Sequence, residues 1–205
     1  MAAKSQHADV AGPAGRIEVA IDAPEGPVLG VAVLCHPHPL HGGTMDNKVV
    51  QTLARAFVQL GWRAVRFNFR GVGTSQGHWD QGAGEVEDAL AVVAAQRDPA
   101  LPLALGGFSF GGYVAAQAAA RLAAARTPVR RVVLIGPATS TFPVPPVPPD
   151  SLVIHGEADE VVPLRATLDW ARPQGLPVVV LPGVGHYFHG QLTRMRDLVL
   201  RGMSR

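Results

Sequence analysis

Short apolar runs bounded by glycine or proline alternate along this chain with stretches whose apolar residues recur every three to four positions, and that alternation limits the fold more than any other feature. Residues 28–35, VLGVAVLC, are almost wholly apolar, as a strand buried on both faces must be. Residues 45–60 follow with Val49, Val50, Leu53, Ala54, Phe57 and Leu60 on one helical face, closed by Gly61. The same reading gives strands over 62–69, 101–105, 131–135, 152–155 and 177–181. Helices are predicted over 82–96, 111–125, 163–172 and 191–201. Strands separated by helices require an α/β fold, a mostly parallel central sheet with helices on both faces. Residues 16–21 alternate polar and apolar, the pattern of an antiparallel edge strand. The expected plan is therefore one domain over residues 16–205, preceded by a flexible tail over 1–15.

Composition removes several partners. Charged residues are 17% of the chain, 18 basic against 16 acidic, and no stretch gathers Lys and Arg into the stripe that nucleic acid requires. No apolar run approaches the roughly 18 residues that cross a bilayer. Residues 1–15, MAAKSQHADVAGPAG, lack the apolar segment of a signal peptide. Cys35 is the single cysteine, so no internal disulfide can form, and a cytoplasmic location is expected.

Chemistry concentrates between the strand over 101–105 and the helix over 111–125. There Gly107-Phe108-Ser109-Phe110-Gly111 has the GxSxG spacing of a nucleophile elbow in the strand-to-helix setting that the pattern needs. So sharp a turn brings the chain two residues before the serine close to the chain two residues after it, which only tiny residues tolerate. No GKS or GKT follows, so the loop is a poor phosphate cradle. A serine needs a base, and the base a carboxylate. After the strand SLVIH come Glu157, Asp159 and Glu160, among which Asp159 lies deepest in the loop before the next helix. After the strand PVVVLP comes His186, with His189 as its rival at the start of the last helix.

A developing oxyanion would need two amides. One is that of Phe110, after the serine. The other must come from Cys35-His36-Pro37-His38-Pro39-Leu40-His41, where Pro37 and Pro39 carry no N–H, which leaves His38 as the leading donor. His36, His38 and His41 look superficially like a zinc run, but no nearby carboxylate completes the set. Arg70-Gly71-Val72-Gly73-Thr74-Ser75 lacks a third glycine and a helix start, and reads as a tight turn lining the same site. His36, His41 and Arg70 are accordingly expected to touch substrate.

The runs HPHPLHGGTMDNKVV, FNFRGVGTSQG, GFSFGG, HGEADEVVP and GVGHYFHG resemble those of the α/β-hydrolase superfamily, in particular small bacterial hydrolases close to dienelactone hydrolases and carboxylesterases. The resemblance spans residues 16–200. It implies an α/β-hydrolase fold, Ser109 as nucleophile, His186 as base, Asp159 as acid, and the amides of His38 and Phe110 as oxyanion hole. One departure is Pro37, which stands where many members have glycine. The implied activity is serine-hydrolase cleavage of small carboxylic esters, with water as second substrate, no cofactor and no metal. A thioesterase or amide hydrolase would use the same residues, and a non-catalytic binding protein would lack one of the three. The connection over 139–150, TSTFPVPPVPPD, has five prolines and is too short for a helical lid, so no cap domain is expected.

Overall fold

A computed structural model describes residues 5–203 apart from 128. Eight strands form one sheet: β1 (Gln6–Gly12), β2 (Gly15–Asp22), β3 (Gly30–Cys35), β4 (Trp62–Phe67), β5 (Leu103–Phe108), β6 (Arg131–Ile135), β7 (Leu152–Gly156) and β8 (Val178–Leu181). Their order across the sheet is β1-β2-β4-β3-β5-β6-β7-β8, antiparallel among β1, β2 and β4 and parallel from β4 onward. Five α-helices accompany it: α1 (Lys48–Gln59), α2 (Ala83–Gln96), α3 (Phe110–Ala124), α4 (Leu164–Ala171) and α5 (Leu192–Met203).

The period of two along each strand divides the apolar side chains between the two faces. In β3, Val31, Val33 and Cys35 join one core with residues of α2 and α3, while Ala32 and Leu34 join the other with residues of α1 and α5. Burial on both faces explains why these strands read as continuous apolar runs. Helix α3 buries Ala115, Ala116, Ala118 and Ala119, whose small side chains let its axis lie close against the sheet.

The N-terminal region departs from expectation. Residues 6–12 of the predicted tail form β1, paired with β2 through a tight turn at Pro13 and Ala14, from Gln6 opposite Ile21 to Gly12 opposite Gly15. The outer backbone groups of β2 need partners, and Val10 supplies a side chain to the core. The antiparallel edge is therefore β1, and β2, which was expected there, lies one strand inside it. Residues 1–4 fall outside the described part. The connection between β6 and β7 contains no helix or strand, as expected for a chain without a lid. It does not stand away from the body, however: Phe142 lies 5.0 Å from the Phe110 ring and 4.9 Å from that of Tyr113, and the Val144 carbonyl accepts from Trp170 Nε1. Among the described residues no helix is long and apolar enough to cross a membrane.

Candidate active site

Strand β5 runs to Phe108, three residues beyond its predicted end at residue 105, and α3 begins at Phe110, so Ser109 alone joins strand to helix. A junction with no loop forces Ser109 to φ 55° and ψ −118°, a conformation rare for a residue with a side chain. The steric reading of the two flanking glycines holds in the structure. A Cβ on Gly107 would sit 2.1 Å from the Gly111 carbonyl oxygen, and one on Gly111 would sit 2.2 Å from that of Cys35. Gly111 thus lets the loop after β3 cross directly over the start of α3.

The carboxyl ends of β5, β7 and β8 bring Ser109, Asp159 and His186 together. Ser109 Oγ lies 3.0 Å from His186 Nε2, and His186 Nδ1 lies 2.7 Å from Asp159 Oδ2. The other carboxylate oxygen, Oδ1, accepts from the amides of Val161 at 2.9 Å and Val162 at 2.7 Å. Burial pushes the Asp159 carboxyl up, but the hydrogen bonds from His186 and the Val162 amide outweigh it and hold it below the usual range. An ionised carboxylate only accepts, so the proton of neutral His186 sits on Nδ1, and the lone pair of Nε2 faces the serine hydroxyl. All three side chains are buried, and the Phe108 ring packs 4.8 Å from the imidazole of His186. Glu157 and Glu160 are exposed; the Glu157 carboxylate accepts from the Gly183 amide instead. His189 is exposed, with Tyr187 between it and the site.

The loop after β3 lies against the start of α3, and its side chains are used differently from the expectation. His38 caps a single 3-10 turn (Pro39–His41), with its Nδ1 accepting from the Leu40 amide at 3.3 Å and its carbonyl from the amides of His41 and Gly43. Its ring stacks on His41 at 4.4 Å and lies 4.5 Å from Trp79 and 5.2 Å from Phe110, and burial and the nearby His41 lower its pKa. The Phe110 amide, first in α3, has no acceptor within the helix.

His36 does not line the site. It is fully buried, with Nε2 accepting from the Phe69 amide at 3.0 Å, which leaves the proton on Nδ1 for the Pro37 carbonyl at 2.6 Å. Burial depresses its pKa to about 4. Its contacts fix the entry of the loop and cannot reach substrate. Arg70 is likewise committed: Nε and Nη2 fork onto the buried Asp88 carboxylate at 3.0 and 2.8 Å, and its backbone amide joins them at 2.9 Å. Only His41 of the three expected substrate contacts is exposed. Among the described residues no group of three His, Cys, Asp or Glu side chains is arranged to hold a metal ion.

Sequence reasoning passed over His155, a fully buried imidazole in β7 whose Nε2 lies 3.4 Å from Asp159 Oδ2. The available signal was a histidine ending an otherwise apolar strand, one helical turn's spacing before the acid.

Known proteins share this fold. Residues 38–149, more than half of the chain, match the family described as serine aminopeptidase, S33. The crystal structure of XC6422 from Xanthomonas campestris, a member of the α/β serine hydrolases without lid, is 40% identical and covers 100% of this chain and 96% of its own, with a TM-score of 0.90. An α/β serine hydrolase homologue from Coxiella burnetii is 39% identical over 99% of each chain, with a TM-score of 0.86. The uncharacterized protein RP471 of Rickettsia prowazekii is 37% identical over 160 residues, 74% of this chain and 66% of that protein, so the match spans just under two thirds of its length. The chain belongs to the serine aminopeptidase S33 family of α/β serine hydrolases.

Proposed function

We propose that this protein cleaves small carboxylic esters through an acyl-enzyme on Ser109. The observation that carries the reading is the unbroken chain of bonds from Asp159 through His186 to the hydroxyl of Ser109, with distances of 2.7 and 3.0 Å. Ser109 Oγ attacks the acyl carbon as its proton passes to His186 Nε2, and Asp159 stabilises the imidazolium. The carbonyl oxygen becomes an oxyanion facing the amides of His38 and Phe110. Collapse of the tetrahedral intermediate breaks the bond to the alcohol oxygen, which leaves with the proton from His186. Water then repeats the sequence, losing its proton to His186 and releasing the acid and Ser109. No step calls for a cofactor or metal. A cytoplasmic setting suits Cys35, a free and buried thiol whose ionisation burial opposes.

The family description favours one second reading, hydrolysis of a small amide or peptide by the same three residues. Labelling with a fluorophosphonate tests the shared step: the adduct should map to Ser109, and a serine left unlabelled would defeat both readings. A panel of p-nitrophenyl esters, thioesters and aminoacyl anilides then separates them, with esters expected to lead.

A further inference from the structure

His155 is a costly residue for its place. It sits in β7, fully buried, where a leucine would fill the same space without desolvating two ring nitrogens. Its Nε2 lies 2.9 Å from the Val162 carbonyl, which can only accept, so Nε2 carries the proton. In the neutral ring Nδ1 is then a bare acceptor, and it is buried with no hydrogen-bond partner among the described residues. A second proton would have to sit on that nitrogen, where nothing receives it. The ring therefore stays neutral although Asp159 Oδ2 is 3.4 Å from Nε2. Asp159 and His186 are the ionisable groups that face it.

What the ring holds is specific. Val162 is gripped at both polar groups: its carbonyl by His155, its amide by Asp159 Oδ1 at 2.7 Å. The turn that orients the carboxylate is thus pinned to β7 through one imidazole N–H. We propose that His155 is a positioning residue for Asp159, a permanently neutral donor that fixes the Val162 turn and leaves His186 the sole imidazole beside that carboxylate able to accept a proton. This inference rests on the reading of Ser109, His186 and Asp159 given above. Burial also keeps the imidazole of His155 below the ordinary histidine range, which agrees with its neutrality.

Two consequences distinguish this role from core filling. Without the N–H, the carboxylate is less well oriented, which lowers kcat and leaves KM alone because His155 touches no substrate. A loosened turn also draws the Val162 amide away from Asp159 Oδ1, so the carboxylate keeps more of its charge for His186, and the acid limb of the kcat/KM profile moves to higher pH by about half a pH unit, the size of one modest hydrogen bond. The experiment compares His155→Gln, His155→Asn and His155→Leu in p-nitrophenyl acetate hydrolysis from pH 4 to 9, with melting temperatures and fluorophosphonate labelling of Ser109 measured alongside. Glutamine carries its amide as far from the backbone as Nε2, asparagine does not, and leucine offers no donor. The expected result is a kcat loss of about 10- to 100-fold in the asparagine and leucine proteins, by analogy with the range seen when the hydrogen-bond partners that orient metal-binding side chains are removed. Their acid limb should move upward, and glutamine should recover most of both effects. If the leucine protein does not fold, the glutamine and asparagine pair carries the decision. Equal kcat and an unmoved acid limb in glutamine and asparagine proteins would overturn the role of His155 while a labelled, active wild type upholds the triad. A wild-type serine that neither labels nor turns over ester would overturn the triad and this inference with it.

Discussion

Two groups of buried polar side chains stand at the carboxyl ends of neighbouring strands, and they have opposite fates. After β5, β7 and β8, the bonds run from Asp159 to His186 to Ser109 and stop at a hydroxyl. After β3 and β4, His36 spends one nitrogen on the Phe69 amide and the other on the Pro37 carbonyl, while Arg70 closes on Asp88 with both arms of its fork. The first group is a chain of bonds with an open end; the second is closed. A strand end in a parallel sheet collects candidates for chemistry, but the open end of a hydrogen-bond chain selects among them.

The largest effects should fall on the open chain. Ser109→Ala should lower kcat for p-nitrophenyl acetate by about 10⁶-fold, the scale known for a serine that acts as a unit with its base. Asp159→Asn should cost about 10³- to 10⁴-fold, because asparagine favours the wrong imidazole tautomer and cannot stabilise imidazolium. Glu157→Gln should leave the rate nearly unchanged, since its carboxylate serves only the Gly183 amide. Steady-state kinetics on the three proteins decide this, and a dead glutamine variant would reassign the acid.

The closed group should answer in stability and not in rate. Arg70→Met strands a carboxylate whose side chain is 1% exposed, and breaking such a pair costs about 3 kcal/mol. Urea unfolding should show that loss, with KM for small esters little changed. A KM that rises sharply while stability holds would return Arg70 to the substrate site.

This division also marks what could be read from the chain itself. The meeting of Ser109, Asp159 and His186 was legible because GxSxG encodes a steric demand, met here by Gly107 and Gly111, and because the carboxylate and the imidazole lie directly after recognisable strands. The roles of His36 and Arg70 were not legible. Their partners are backbone atoms of other segments and Asp88, which the sequence shows only as one more polar residue of α2. His155 was hidden for the same reason, its contact being a carbonyl in the following loop. β1 was missed because Gly12-Pro13-Ala14-Gly15 was read as tail composition and not as a hairpin turn.

His36 offers a gentler test of the closed group through pH. Its ordinary pKa of 6.5 falls to about 4 in the fold, so the unfolded chain binds the proton more readily. Stability is therefore complete above pH 6.5 and declines as pH drops toward 4, by about 3 kcal/mol. His155, also lowered by burial, adds to the decline in the same direction. Urea unfolding at pH 7 and pH 4 should give a smaller difference for His36→Gln than for the wild type, because a glutamine oxygen can still accept from the Phe69 amide but cannot take a proton. An unaltered difference would mean that another group governs acid unfolding.

The smallest effect concerns what surrounds the open end. Phe142 and Val144 of the connection between β6 and β7 turn inward onto Phe110, Tyr113 and Trp170, so this segment supplies packing and no cover. Beside His186 lies a groove of about 480 Å³ that has Val161 and Tyr187, but not Ser109, on its wall, and these side chains remain 53% and 50% exposed. A methylene laid in such a groove keeps much of its contact with water. Full burial would gain about 0.8 kcal/mol per CH₂, nearly fourfold in kcat/KM, and an open wall should return less than half of that energy beyond the first few carbons. Across p-nitrophenyl esters from acetate to palmitate, kcat/KM should therefore level off at short chains, with no jump when micelles form. A fourfold gain per methylene sustained to long chains would show that the groove closes over its substrate, and the site would then resemble the sealed surroundings of His36 more than the open end at Ser109.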